Sequence, residues 1–280
     1  MSRPKTGFPP RTSQLSRASD SVASSGEGAA ARPGGVDLTA VLGPIRSQNA
    51  FEETVERLLA VIKLGVVGPG ERFPAERELA ALLGVSRITL REAIGDLRNA
   101  GYVESRRGRF GGTFVTYTPP APSRVELRRI AVEDADKIND ALTFRMAVET
   151  GAAQILAQTG DSDGNGRGGG GERVRDVLLA RLTAVNEAGP GDYRRMDSLF
   201  HLSIAELTGS SLLASACAEA RVRLNDLLNA IPLLQRNIDH TTAQHAAIVA
   251  AILDGDTPRA QQAVAEHLDG TAALLRGFLE

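Results

Sequence analysis

The sequence predicts a mainly α-helical protein with two folded parts, and three observations lead to this prediction. Apolar residues recur at the helical period along most of the chain after Phe51. Two short β-like runs, "YVESR" and "GTFVTY", flank "RGRFG" and predict a single hairpin. The segment "TPPAPS" at 118–123 is rich in proline and cannot continue regular structure, so it marks the boundary between the two parts.

Composition agrees with a helical core and an intracellular location. Trp is absent and aromatics make up 4% of the chain, so the core must rest on Leu, Ala, Val and Ile. The single cysteine, Cys217, excludes an internal disulfide framework, fits a reducing cytosol and is expected to be a small core residue. No segment approaches the roughly 18 to 20 apolar residues of a membrane span, and no signal peptide is recognisable. A cytoplasmic protein without membrane contact is expected.

The chain divides into four segments. Residues 1–48 are rich in Ser, Gly, Pro, Arg and Ala and predict a disordered tail. Residues 49–118 form the first folded part, residues 119–131 a linker, and residues 132–280 an all-α helical bundle. Helices of the bundle are predicted over roughly 132–158, 172–188, 192–208, 211–230, 241–254 and 258–279.

The first folded part reads as three helices followed by the hairpin. The stretch "FEETVERLLAVIKLG" carries apolar residues at helical spacing and ends at Gly65. Pro74 is placed to start the second helix, which stops at Gly84. Ser86 is placed to cap the third helix, which ends at Gly101. Two short helices joined by "GVS", followed by a hairpin, predict a winged helix-turn-helix.

The third helix and the hairpin carry a basic surface that fits DNA. Residues 86–109 contain six arginines and three acidic residues, although the chain has a net charge of −2. In a helix-turn-helix the second of the paired helices enters the major groove, and arginine can bind guanine or phosphate there. The expected contacts are Arg77, Ser86, Arg87, Thr89 and Arg91, with Arg106, Arg107 and Arg109 around Gly108 at the hairpin tip. The alternative is a protein-binding winged helix with a solvated basic tip.

Four residues of the bundle could hold a metal ion. Asp197 and His201 are four positions apart and share a helix face. His245 and His267 each lie in a partly apolar stripe on another helix and could complete a set of three histidines and one carboxylate. Such a set suits Zn, Ni, Mn or Fe and leaves room for water or a ligand carboxylate. Taken alone, each inward histidine is more often a satisfied core residue, and the Asp197–His201 spacing also permits an acid/base pair.

Three further polar residues of the bundle have competing interpretations. Arg145 shares a stripe with apolar residues and could pair with Glu149 or clamp a carboxylate; the two can coexist. Asn225 lies among leucines and is a weaker candidate for a hydrogen bond to a ligand. His240 precedes the predicted start of its helix and is expected at the surface or as a cap.

The first folded part resembles the DNA-binding domain of the GntR family of bacterial transcription regulators. In that family the arginines matching Arg77, Arg87 and Arg91 contact operator DNA, and the wing tip, here around Gly108, enters the minor groove. Phe110 departs from the commoner small or polar residue. The resemblance rests on Pro69-Gly70, Pro74, Glu76-Arg77, Leu79-Ala80, Gly84-Val85-Ser86-Arg87, Arg91-Glu92, Leu97, Gly101 and Gly111-Gly112.

The bundle resembles the all-helical ligand-binding domain of the FadR subfamily, called FCD. Its recurrent elements occur as "FRMAVE", "DSLFH", "QHAAI" and "AVAEHL". The resemblance implies a divalent metal, Zn first among the candidates, on Asp197, His201, His245 and His267. It also implies a small organic acid beside the metal and Arg145.

Together the two resemblances imply a dimeric, ligand-responsive transcriptional regulator that is not an enzyme. A repressor relieved by its ligand is the commoner arrangement. Two DNA-binding heads on a symmetric homodimer imply double-stranded DNA with a palindromic operator. One alternative is a metalloregulator in which the ion itself is the signal. The other is a metal-dependent enzyme, because an open coordination position could activate water.

Overall fold

The computed structural model describes residues 49–118, 135–161, 170–231 and 235–279, together with Leu42, Val125 and Arg129. Most of the predicted tail and linker lies outside the described residues. Within them the chain forms nine helices and one two-stranded antiparallel sheet. None of the helices in these ranges combines the length and the apolar character that crossing a membrane requires.

The N-terminal elements follow the predicted order of three helices and a hairpin. Helix α1 packs against α3, and α2 also packs against α3. The buried face of this domain includes Leu58, Leu79, Leu90 and Val103. The elements are α1 (Ala50–Lys63), α2 (Glu76–Leu83), α3 (Arg87–Asn99), β1 (Val103–Arg106) and β2 (Gly112–Val115).

Local capping explains where α2 and α3 begin and end. Gly84 adopts a left-handed conformation (φ 67°) and ends α2, as predicted. Ser86 caps α3 by accepting a hydrogen bond from the Thr89 amide, also as predicted. Helix α2 starts two residues later than Pro74, because the preceding segment is extended: the Phe73 amide donates to the carbonyl of Thr113 in the hairpin at 2.9 Å.

The hairpin forms the wing and ends in a tight turn. Its register pairs Val103 with Val115 and Arg106 with Gly112. In the turn, the Gly111 amide donates to the Gly108 carbonyl at 2.9 Å. A Cβ atom on Gly111 would lie 2.4 Å from the Arg106 carbonyl oxygen, so only glycine fits there.

The C-terminal helices form a bundle centred on α4, which packs against α6, α7, α8 and α9. Helix α1 also packs against α7, which brings the first domain against the bundle. Cys217 is 1% exposed within this core, as predicted. The helices are α4 (Ala135–Asp161), α5 (Gly170–Asn186), α6 (Tyr193–Leu207), α7 (Ser211–Ala230), α8 (Gln235–Leu253) and α9 (Thr257–Leu279).

Helix α8 of the bundle begins six residues earlier than predicted. Helix α8 starts at Gln235, so His240 lies inside the helix instead of ahead of it. Its side chain is exposed, which agrees with the surface position that the sequence predicts. Residues 235–240 are mostly polar and lack the apolar period from which the helix start is predicted. They contain no Gly or Pro that would end a helix, so the helix can extend through them.

Candidate metal centre and nucleic-acid interface

Helix α3 presents the predicted DNA contacts on its outer side. Arg77, at the start of α2, and Arg87 and Arg91, on α3, are exposed, and Thr89 is partly buried. The opposite face of α3 packs into the core through Leu90, Ala93, Ile94 and Leu97. The helix therefore separates a buried apolar face from a solvent-facing polar one.

Glu76 and Ser86 hold the side chains at the start of α3. The Ser86 hydroxyl oxygen accepts from the Thr89 amide at 3.0 Å. Arg91 Nε donates to Glu76 Oε2 at 2.7 Å, and Arg87 Nη2 lies 4.0 Å from the same oxygen. These exposed ion pairs contribute little to folding stability. They do keep both guanidinium groups near the start of α2.

The wing tip carries a second exposed basic group. Arg107 and Gly108 are exposed, and Gly108 has a φ of 101°. The Phe110 side chain is also exposed and projects from the same turn. Arg106 differs from Arg107 because the hairpin already engages it: its guanidinium carbon lies 4.2 Å from the centre of the Phe114 ring. Arg107 is therefore the better placed of the two to reach beyond the hairpin.

The four candidate metal ligands converge from three helices. Helix α6 supplies Asp197 and His201, α8 supplies His245, and α9 supplies His267. One oxygen or nitrogen atom from each residue lies within 4.8 Å of every other. All three imidazole rings are buried. Residues separated by up to 70 positions thus form a single polar centre in the bundle.

The contacts between these side chains fit a cation at their centre. Glu149 Oε2 lies 2.8 Å from His201 Nδ1, an ion-pair distance at which the carboxylate favours a proton on Nδ1 and leaves the lone pair of His201 Nε2 facing inward. That atom lies 3.1 Å from Nε2 of His267. Asp197 Oδ1 lies 3.4 Å from Nε2 of His245. Inward-facing nitrogen atoms and a carboxylate oxygen at these separations are the donor set of a transition-metal site.

His245 gives a second test of this fit. Among the described residues, neither of its ring nitrogens has a hydrogen-bond partner, although the ring is 0% exposed. The approach of Asp197 is close enough for an ion pair but does not have hydrogen-bond geometry. A buried polar group without a partner is costly, and a metal ion would satisfy one of the two nitrogens.

The protonation states also suit metal binding. Burial lowers the pKa of His245 to about 3 and holds the pKa of His201 and His267 below their ordinary value. Burial alone would raise the pKa of Asp197, but Arg221 opposes it and keeps this carboxyl ionised. Neutral imidazoles and an ionised carboxylate are the forms that coordinate a divalent ion.

The sequence did not indicate Arg221 as part of this centre, and for Glu149 it indicated only one of its partners. Arg221 joins both carboxylates: its Nη2 donates to Asp197 Oδ2 at 2.5 Å and its Nη1 to Glu149 Oε1 at 3.3 Å. Glu149 was expected only as a partner of Arg145, whose Nε donates to it at 2.9 Å. The spacing of Arg221 after Cys217, on the buried face of α7, could have indicated its inward direction.

The centre retains donors but little space. Arg145 Nη1 and Arg221 Nε have no hydrogen-bond partner among the described residues, although both atoms are buried. A void beside His201, lined by Glu149 and Val264 among others, is too small for a water molecule. A ligand that occupies this void must therefore displace side chains.

Asn225 lies at the contact between the bundle and the first domain. Its Nδ2 donates to the Lys63 carbonyl, at the end of α1, at 3.3 Å. Its Oδ1 accepts from the Ser198 hydroxyl at 3.4 Å. The amide therefore joins α7 to α6 and to α1.

Arg195 makes a second contact between the two parts. Its Nε donates to the Gly65 carbonyl at 2.7 Å, and its Nη2 lies 3.0 Å from Glu71 Oε1. A Cβ atom on Gly65 or Gly68 would approach this side chain to 2.7 or 2.8 Å. The guanidinium thus lies directly on the turn that leads from α1 to α2. Sequence reasoning missed it, because no local pattern marks its partner.

A winged helix-turn-helix joined to a helical domain with a buried polar centre is an arrangement typical of DNA-binding regulators. Residues 51–115 match the family described as bacterial regulatory proteins, gntR family, and residues 140–270 match the FCD domain. The chain belongs to the GntR family of bacterial transcription regulators and carries an FCD domain, as in the FadR subfamily.

Two proteins that are similar in sequence agree with this assignment. A protein of Mycobacterium gastri named as the HTH-type transcriptional regulator RmpR is 30% identical over 218 residues, which are 76% of each chain. An Escherichia coli K12 protein named as an L-lactate dehydrogenase operon regulatory protein is 29% identical over 247 residues, covering 82% of this chain and 87% of the relative. The solved structure of E. coli McbR/YncC aligns with 84% of this chain and all of its own, at 18% identity and a TM-score of 0.45.

The predicted family, fold class and regulatory class are therefore confirmed. The chain is a transcription regulator and not an enzyme, which removes the metal-dependent enzyme from the alternatives.

Proposed function

We propose that the protein is a repressor whose operator binding is controlled by a small carboxylate bound beside a divalent metal in the FCD domain. The observation that carries this proposal is the convergence of Asp197, His201, His245 and His267 next to buried donors of Arg145 and Arg221 that no described residue partners. As a homodimer, the protein would place two α3 helices on a palindromic operator. The DNA contacts would come from Arg77, Ser86, Arg87, Thr89, Arg91, Arg107 and Gly108.

The four converging residues would hold the ion. Three imidazoles and one carboxylate suit Zn²⁺ best, and Ni²⁺, Mn²⁺ and Fe²⁺ remain compatible. The bound ion would supply a Lewis-acid site for one oxygen of the carboxylate. Glu149 would orient His201, and Gln244, whose Oε1 lies 3.2 Å from Nδ1 of His267, would orient that ring.

The charge of the centre favours an anionic ligand. Arg145 and Arg221 balance Glu149 and Asp197, and the histidines are neutral. A divalent cation would therefore leave a surplus of positive charge in a buried region, which is costly unless an anion neutralises it. A carboxylate fits, because guanidinium binds it in a planar, bidentate manner. The name of an E. coli relative refers to an L-lactate dehydrogenase operon, which supports testing short hydroxy acids first.

Helix α6 would carry the signal to the DNA-binding domain. Asp197 is two residues from Arg195, which lies on the turn between α1 and α2. Ser198, also adjacent to Asp197, is linked through Asn225 to the end of α1. A ligand that moves α6 would thus shift the position of the DNA-binding domain. The arrangement of the two heads that binds the ligand more tightly would then be favoured.

A metalloregulator is the second candidate, and one observation favours it. The void beside His201 is too small for a water molecule, whereas an ion needs only the space between the four donor atoms. The deciding measurement is operator affinity in metal-free protein, in metal-loaded protein and in metal-loaded protein with short organic acids. A change on adding the acid supports the main proposal. A change on adding metal, with no acid effect, supports the metalloregulator.

Variants of α8 test the metal site itself. His245→Ala should lower the metal content of the purified protein, because it removes one of four ligands. His240→Ala is the matched control, since its side chain is exposed on the same helix. Elemental analysis of both variants and of the wild type gives the comparison. A wild type that contains no first-row transition metal and binds none on titration would rule the site out.

A further inference from the structure

Ile88 is an apolar side chain on a surface where polar contacts are expected. It is the second residue of α3 and is 69% exposed. Its neighbours Arg87 and Thr89 belong to the proposed DNA contacts, and Arg91, one turn later, projects from the same side of the helix. Ile88 takes no part in the buried face of α3, which includes Leu90.

A large exposed aliphatic group at this place calls for a partner that covers it. Isolated exposed apolar residues are ordinary on protein surfaces, so exposure alone decides nothing. The position is what distinguishes Ile88: the N-terminal residues of the second helix of a helix-turn-helix lie at the base edges of the major groove. The flanking arginines provide charge complementarity to the phosphates on either side.

We infer that Ile88 reads the 5-methyl group of a thymine in the major groove. The inference rests on the proposed insertion of α3 into DNA. An isoleucine side chain can neither donate nor accept a hydrogen bond, so it cannot recognise the polar edge of guanine, adenine or cytosine. The thymine methyl is the apolar feature that the standard bases display in this groove. Ile88 would therefore specify thymine at one position of each half-site, beside the bases contacted by Arg87 and Arg91.

The test uses DNA that differs by that methyl group alone. The full-length protein first selects its preferred duplex from a random pool. Each thymine of the selected half-site is then replaced in turn by deoxyuridine, which keeps the base pairing and lacks the 5-methyl group. For the wild type we expect one position per half-site where the replacement weakens binding about fourfold, the effect of burying one methyl group.

Variants assign the effect to Ile88. Ile88→Ala should bind the thymine and deoxyuridine duplexes equally, and Ile88→Val should keep part of the discrimination. Leu212→Ala is the matched control: it removes an aliphatic side chain that is 83% exposed on α7, and its ratio of the two affinities should equal that of the wild type. Circular dichroism melting verifies that each variant is folded.

Two results would overturn the inference. One is the absence of any position in the selected half-site where thymine is preferred over deoxyuridine. The other is discrimination that persists unchanged in Ile88→Ala. Failure of the wild type to bind any duplex is a different outcome, because it would overturn the proposed DNA-binding role of α3 together with the inference.

Discussion

At the scale of single residues, Glu149 links the candidate metal centre to the buried arginines. Its two oxygens contact His201, Arg145 and Arg221. Burial alone would raise the pKa of this carboxyl, but Arg145 and the other two partners hold it well below its ordinary value. The carboxylate therefore stays ionised, compensates buried charge and fixes which nitrogen of His201 faces inward. The sequence identified its i, i+4 partner Arg145, but not the two longer-range partners.

Glu149→Gln should weaken metal binding by about 10- to 100-fold, because the amide no longer holds the His201 ring as a charged acceptor. The substitution keeps the size of the side chain but leaves two buried guanidiniums less compensated, so it should also destabilise the fold by about 3 to 5 kcal/mol. Competition against a chelator measures the first effect and chemical denaturation the second. Glu219→Gln, in an exposed pair on α7, is the control. An unchanged metal affinity in a folded Glu149→Gln protein would contradict the assigned role.

At the scale of elements, α6 contacts two different parts of the molecule through side chains on different sides of the helix. Asp197 and His201 point into the candidate metal centre, whereas Arg195 points to the turn after α1. The limits of α6 agree with the sequence pattern to within one residue at each end, because its apolar period is local. Its contact with Gly65 spans 130 positions in the sequence and depends on how the bundle packs against the first domain. Local periodicity carries no information about such a contact.

Arg195→Ala should uncouple the sensor from the DNA-binding domain. The ratio of operator affinities without and with a saturating acid is expected to fall from the range of 5- to 150-fold that is typical of such coupling to within about twofold. Fluorescence anisotropy with labelled operator measures the ratio. Arg223→Ala removes an exposed arginine on α7 and should leave it unchanged. Equal ratios in the wild type and Arg195→Ala would show that the signal takes another route.

At the scale of the whole molecule, the metal would join three helices that otherwise meet through a polar centre. Asp197, His201, His245 and His267 lie on α6, α8 and α9, so an ion bound to all four would act as a crosslink within the FCD domain. Binding only to the folded state adds to the free energy of unfolding. The stability of the protein should therefore depend on metal concentration.

Removing the metal should lower the melting temperature. An ion present at about 100 times its dissociation constant stabilises the folded state by about 2.7 kcal/mol, which corresponds to roughly 5 to 10 °C for a chain of this size. The measurement compares chelator-treated protein with the same sample after Zn²⁺ is restored. In His267→Ala the two melting curves should coincide. Coinciding curves for the wild type would count against a metal that binds the folded protein.

The sequence by itself determined the winged helix-turn-helix, the outer face of α3 and the four side chains that converge in the bundle. Each depends on a local pattern: helix caps and glycines mark the ends of α2 and α3, and helical spacing points the histidines inward. The family resemblance added the expectation that the four belong to one site. These features could be predicted because neighbours within one or two turns specify them.

Only the tertiary structure decided which residues support that site and how it connects to the DNA-binding domain. Arg221 and Glu149 are 72 positions apart, and Arg195 and Glu71 are 124 apart. Such contacts depend on the relative placement of whole helices, which the packing of the core sets and which no short stretch of sequence encodes. The buried charges around the four candidate metal ligands and the contact of Arg195 with the turn after α1 therefore emerge only when the chain is folded.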